Sequence, residues 1–191
     1  DMASAIIHGT EAVIVFGDIA NGQFPVQAVT MMHKIALQTE NSIEYQDLME
    51  TSFSGIRRRN IADSVAGAAF LTAHDLDATA ILTPSLHGNT PKIISRFRPR
   101  QYIIAATPYP EVQRNLLLYW GVETVICQIT ADSDTMVINA IASGEKAGLI
   151  QSFDKLVILA GIPVDSPIML NTVRIHLHCK VLAKSQRGYG D

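Results

Sequence analysis

Only two cysteines occur among the 191 residues, Cys127 and Cys179, and they are too far apart to form a Cys-x-x-Cys pair. That excludes a disulfide-built scaffold and a cysteine-rich zinc module. It also suits a reducing cytosol, so a cytoplasmic setting is expected. Positive charge is short as well: 15 Lys and Arg stand against 18 Asp and Glu, a net charge of −3. A nucleic-acid surface needs a basic excess, so no nucleic-acid partner is expected. No apolar run approaches the ~20 residues a membrane helix requires, and no signal-peptide pattern opens the chain. No membrane partner is expected either. The first residue is Asp1 rather than Met, so the start reads as cut. What is abundant is apolar surface: a hydrophobic fraction of 48% allows a real core with no long disordered stretch.

That apolar content is distributed in short runs separated by helical patterns. Met2 to His8 reads as a helix end stopped by Gly9, and Ala12–Phe16 as a buried strand. A helix is predicted from about Val26 to Thr39, with Val29, Met32 and Ala36 at helical spacing. Gly17 and Gly22 have P-loop spacing, but Gln23-Phe24 stand where Lys and Ser/Thr are required, so that motif is rejected. Glu40 to Arg59 is polar and reads as a linker with a helical piece around Tyr45–Met49; Arg57-Arg58-Arg59 reads as solvated surface or a contact. A long helix follows from about Asn60 to His74, with Ile61, Val65, Ala68 and Thr72 on one face. Its small residues Ala62, Ala66, Gly67 and Ala69 permit close packing.

From Ala80 the rhythm is regular. Strand Ala80–Leu82 precedes helix Pro91–Phe97. Strand Tyr102–Ala106 runs into Thr107-Pro108, read as a cap and first helical residue, and a helix to Trp120. Strand Thr124–Cys127 precedes helix Ser133–Ala147, and strands Lys155–Ala160 and Val173–Cys179 close the series. This alternation predicts an α/β fold, a sheet with helices on both faces. A compact winding takes the first three of these strands outward. The Lys155 strand then returns to the other side of the Ala80 strand, so the reversal falls between loops Thr83–Thr90 and Gly161–Asn171. Ligands of open α/β sheets sit at such a place.

The first of those loops, Thr83-Pro84-Ser85-Leu86-His87-Gly88-Asn89-Thr90-Pro91, gathers hydroxyls, an amide, an imidazole and a glycine before a helix. Pro91 suits the first helical position. Free N–H groups and the positive end of the dipole attract an anion there, and Gly88 lets the backbone approach a ligand. A cationic His87 would add to the attraction and respond to pH near neutrality. The loop is read as a phosphate cradle; a capped βα turn with nothing bound is the alternative. His176 and His178 share a face in a strand, but the sequence places no third ligand and Cys179 points the other way, so they read as plain strand residues rather than a metal site. Asp132 and Asp134 flank a helix start and read as caps. No catalytic Ser/His/Asp or Cys/His arrangement is legible.

Several stretches resemble pyruvate kinase, in its C-terminal part. Asp1 to Val13 resembles "DVANAILDGTDAVM", Gly17 to Met32 "GETANGKYPVEAVKMM", and Thr83 to Pro91 the bacterial "TPTVSGKTP". Ser95 to Pro99 resembles "AKYRP", Trp120 to Val122 "WGV", and Ala160 to Val164 "AGVPV". The resemblance implies a three-layer α/β sandwich with a mostly parallel five-stranded sheet, preceded by a remnant βα unit of a TIM barrel. It divides the chain into the barrel's end (1–40), a regulatory domain (41–183) and a tail (184–191).

It also implies an effector site on a loop of the form S/T-x-S-G-x-S/T, which maps onto Ser85, His87, Gly88, Asn89 and Thr90, with Gly161, Pro163 and Asp165 on the facing loop. The implied partners are a phosphorylated small molecule and further copies of the chain in a homotetramer. The complete enzyme converts phosphoenolpyruvate and ADP to pyruvate and ATP with Mg2+ and K+. The residues for that lie on earlier barrel strands, so this chain is expected to carry no catalytic residue, no metal and no cofactor, and to be inactive alone. The sequence departs from the pattern at Val15 to Ile19, at His87 where the family has a serine, and at Met169 to Asn171. An interaction module that only oligomerises is therefore the second reading. A stand-alone enzyme using the same crevice is the third, with no catalytic group to support it.

Overall fold

The computed structural model describes residues 2–17, 22–42, 60–162 and 170–179. Two helices come first, α1 (Met2–Ile7) and α2 (Pro25–Ser42), followed by α3 (Ile61–Asp75). Next come β1 (Ala80–Pro84), α4 (Asn89–Ser95), β2 (Tyr102–Thr107), α5 (Pro110–Leu116), β3 (Val122–Ile126), α6 (Ser133–Lys146), β4 (Lys155–Ala160) and β5 (Thr172–Leu177). The five strands form one sheet in the order β3-β2-β1-β4-β5. All neighbours are parallel except β4 and β5, where Lys155 pairs with Leu177 in antiparallel register. The expected α/β sandwich with a mostly parallel five-stranded sheet is what forms.

The central strands are apolar on both faces because both faces are covered. Ile81, Ile103, Ala105, Val157 and Leu159 pack against α3, α4 and α5, while Ala80, Leu82, Ile104, Leu156 and Ile158 pack against α6. Right-handed crossovers account for this division. Steps from β1 to β2 to β3 move one way and put α4 and α5 on one face. The return from β3 to β4 runs the other way and puts α6 on the opposite face. The winding therefore reverses between β1 and β4, as expected.

Several expected details are corrected. The buried stripe of α3 is the small one, Ala66, Gly67, Ala69, Phe70 and Ala73, whereas Ile61 is 65% exposed. Small residues let α3 lie close to the sheet, with Phe70 and Phe97 filling the remaining space at 5.8 Å between ring centroids. Residues 12–16 form no strand; Ile14 and Phe16 are 73% and 78% exposed. A strand needs a neighbour for its N–H and C=O groups, and none of the described strands lies beside this run. Helix α2 does form, and its Thr39 is buried. The first described helical residue after β2 is Pro110, not Pro108: Thr107 stays in the strand and its hydroxyl accepts from the Tyr109 N–H at 3.4 Å. That helix ends at Leu116, short of Trp120, and the last strand ends at Leu177, short of Cys179. The expected helical piece at Tyr45–Met49, the arginines 57–59 and the tail lie outside the described residues.

Candidate functional site

The loop after β1 is held by bonds from its own hydroxyls and from the next strand. The Ser85 N–H extends the ladder to the Ala106 carbonyl at 2.9 Å. The Ser85 hydroxyl then accepts from the Gly88 N–H at 3.0 Å, closing a tight turn. From the neighbouring strand, the Thr107 hydroxyl donates to the Leu86 carbonyl at 3.3 Å. Gly88 has φ +75° and caps α4 without a side chain. A Cβ there would stand 3.1 Å from both Leu116 Cδ2 and Val112 Cγ1, so the backbone favours glycine and any side chain would crowd those two residues.

Helix α4 starts at Asn89, which makes Pro91 its third residue and not its first. Proline is tolerated there because the N–H it lacks would also have found no acceptor within the helix. The N–H groups of Asn89 and Thr90 donate to no other described residue. Thr90 is buried and Asn89 exposed, and His87 is exposed with its ring nearly parallel to that of Tyr109, 11° apart and 6.4 Å between centroids. Ser85, His87, Gly88, Asn89 and Thr90 thus share one continuous turn at the carboxyl edge of the sheet. Two N–H groups that are unpaired among the described residues therefore stand at the start of α4.

Continuing the β1–β4 register beyond Leu82 and Ile158 brings Gly161 level with Ser85, across the reversal. Pro163 and Asp165 lie outside the described residues. The base of the facing loop is closed by a residue the sequence reading cited only as a departure. Asn171 accepts the Ile162 N–H at 2.9 Å, donates to the Ile162 carbonyl at 2.6 Å, and accepts the Thr172 hydroxyl at 2.8 Å. Thr107 is read from the sequence only as a helix cap, and Tyr109 is not singled out at all. Their position at and just beyond the end of β2, on the same sheet edge as the cradle, is the signal that points to them.

The other tempting groups are structural. Asp132 caps α6 by accepting the Thr135 N–H at 2.7 Å, and its carboxyl is held below the usual aspartate range first by the Thr135 side-chain hydroxyl and then by that N–H. Asp134 pairs with Arg174 at 2.6 Å. The rings of His176 and His178 are 6.1 Å apart. Burial lowers the His176 pKa, with the charges of His178 and Arg174 adding to it. His178 Nε2 lies 2.9 Å from the Glu145 carboxylate, an ion-pair distance without the alignment of a hydrogen bond. Among the described residues no three His, Cys, Asp or Glu side chains gather as metal ligands.

A family model described as the pyruvate kinase alpha/beta domain matches residues 63–176. The chain belongs to the pyruvate kinase family. It is 38% identical over 186 residues to a pyruvate kinase of Geobacillus stearothermophilus, covering 97% of this chain and 32% of that protein. It is 33% identical over 177 residues to one from Clostridium acetobutylicum, covering 93% of this chain and 37% of that protein. A crystal structure of a pyruvate kinase from Cryptosporidium parvum superposes with a TM-score of 0.80 at 33% identity, covering 92% of this chain and 34% of that one. The chain thus spans about a third of the length of the pyruvate kinases it matches, and it corresponds to their C-terminal part.

Proposed function

We propose that this chain is the regulatory portion of a pyruvate kinase and binds a phosphorylated small molecule on the 85–90 loop. One observation carries the reading: the Asn89 and Thr90 N–H groups open together, unpaired among the described residues, at the start of α4 and beside the reversal of the sheet. Ser85 and Gly88 fix that geometry from within, so a ligand meets donors already in place and loses little to ordering. Thr90 and the exposed His87 supply the side chains nearest those donors. Gly161, with Pro163 and Asp165 beyond it, would close the site from the other strand.

The conversion of phosphoenolpyruvate and ADP to pyruvate and ATP belongs in this reading to the complete enzyme. The Mg2+ and K+ implied for it are assigned to no residue of this chain. Self-association is the second part of the reading. Ile14, Phe16, Phe24, Val26 and Val29 are more than half exposed, and so are Ile175 and Leu177 on the edge strand β5. Exposed apolar side chains beside an unpaired strand edge favour contact with another subunit.

A thermal-shift series with sugar phosphates and AMP tests the effector site. Ligand at ~100 times its Kd adds about 2.7 kcal/mol, a rise of roughly 5–10 °C at this size. Thr90→Ala should abolish the rise. No shift with any phosphorylated compound would favour the oligomerisation module, and light scattering showing a clean monomer would remove that as well. Turnover of phosphoenolpyruvate by this chain alone would overturn its assignment as non-catalytic.

A further inference from the structure

Arg98 stands where three parts of the chain meet. It follows α4, and its backbone is in the left-handed region at φ +48°. A non-glycine residue keeps that conformation only where its surroundings over-determine it. Phe97 before it is fully buried and Pro99 after it is buried, while the Arg98 N–H donates to the carbonyl of Ser95, the last residue of α4, at 2.9 Å. The side chain is thereby directed onto the 2–42 segment. Its guanidinium lies over the Trp120 ring at 4.4 Å, and Nη2 donates to the Thr10 carbonyl at 3.4 Å. It also lies against Gly9, where an added Cβ would be 3.4 Å from Nη2.

The charge is well placed. Gly9, with φ +92°, follows α1, so the guanidinium sits at the negative end of that helix. Burial pulls the Arg98 pKa below the usual arginine value, while Glu11 and Glu40, the latter in the last turn of α2, oppose that shift. The Trp120 plate is in turn tied to α4, because the buried Ser95 hydroxyl donates to the Trp120 carbonyl at 2.8 Å. Both attachments therefore lead back to α4, and the other end of α4 is the 85–90 loop. Seven residues make a rod of about 10 Å.

We propose that Arg98 is a positioning residue that clasps the 2–42 segment to the α/β sandwich and, through α4, ties the packing of that segment to the 85–90 loop. The tie rests on the reading of the loop as an effector site; the clasp does not.

Hydrogen–deuterium exchange of the full 191-residue chain, alone and with a sugar phosphate or AMP, tests both. Without ligand, Arg98→Gln should speed exchange across residues 4–11 by about tenfold and leave β1 and β2 unchanged. Arg98→Lys keeps the charge and loses the planar fork, so it should fall between. Unchanged exchange at 4–11 in Arg98→Gln overturns the clasp. With the phosphorylated probe bound, wild-type exchange at 4–11 should shift by about threefold. Arg98→Gln should lose that response while its Kd for the probe stays within about twofold of wild type. A response that survives the substitution overturns the tie. If no probe binds the wild-type chain, the reading of the loop fails and takes the tie with it, while the ligand-free comparison still decides the clasp. Should Arg98→Gln not fold, Trp120→Leu removes the ring face instead, and the same ligand-free criterion applies to it.

Discussion

Gly88 and Gly148 both adopt φ +75°, and replacing each by alanine separates two costs that are usually confounded. Both variants put a Cβ into the left-handed region, which costs roughly 1–2 kcal/mol. Both also remove about the same unfolded-state entropy. Gly148 has nothing within 4 Å of the added carbon, so its cost ends there. At Gly88 the carbon meets Leu116 and Val112 at 3.1 Å. Val112 is only partly buried and has room to turn, but Leu116 is fully buried against the sheet. Overpacking of this kind costs ~1–3 kcal/mol, so Gly88→Ala should be less stable than Gly148→Ala by about 2 kcal/mol. For a chain of this length that difference is roughly 4–8 °C in melting temperature. Paired thermal denaturation by circular dichroism measures it directly. Phosphorylated probes should also bind the Gly88 variant about tenfold more weakly than the Gly148 variant, because the turn orienting the Asn89 and Thr90 N–H groups must open. Melting temperatures within about 1 °C of each other would refute the packing argument.

Two further outcomes follow from the loops and caps. Asn171→Ala removes the three hydrogen bonds that close the base of the 162–170 loop. At about 1 kcal/mol each before partial replacement by water, it should cost ~2 kcal/mol and speed proteolytic cleavage after Ile162; unchanged cleavage would count against the clip. The Asp132 carboxyl is held below its ordinary pKa by the Thr135 bonds. Its stabilisation is therefore present above the ordinary aspartate value and is lost as pH falls through the lowered folded value. Asp132→Ala should melt below wild type at neutral pH, and the gap should narrow in acid; a gap independent of pH would contradict the assignment.

How much of the fold was legible depends on where the apolar residues go. The β4 run Lys155–Ala160 was read to its observed ends because a strand covered on both faces is almost uniformly apolar. The α3 stripe was misread because Ile61 and Val65 outweigh alanines on any hydropathy scale. Packing against a sheet selects instead for the small side chains that allow close approach, and Ala66, Ala69 and Ala73 are all fully buried. The run Ala12–Phe16 was misread for a different reason. Its residues have strand character, but a strand is defined by its neighbours, and none of the described strands lies beside it.

The cradle was legible in composition and only half legible in geometry. Ser85, Gly88 and Thr90 were picked out as hydroxyl and glycine positions, yet their roles differ in the folded chain. Ser85 turns inward to fix Gly88 by accepting its N–H, so one lone pair serves the scaffold while the O–H stays a donor. A side chain at Gly88 would crowd Leu116, a residue 28 positions later that no local pattern could connect to it. The donors an anion would meet in the proposed site are the main-chain N–H groups of Asn89 and Thr90 together with the hydroxyls of Ser85 and Thr90, and only the main-chain part is independent of side-chain identity. Replacing the family's serine by His87 therefore leaves the backbone part of the turn intact and alters only its exposed rim. That is why a departure conspicuous in the sequence is compatible with an anion-binding turn. Thr107, in β2, holds the Leu86 carbonyl, and Asn171, just before β5, holds Ile162 at the base of the facing loop; neither pairing can be read from adjacent sequence.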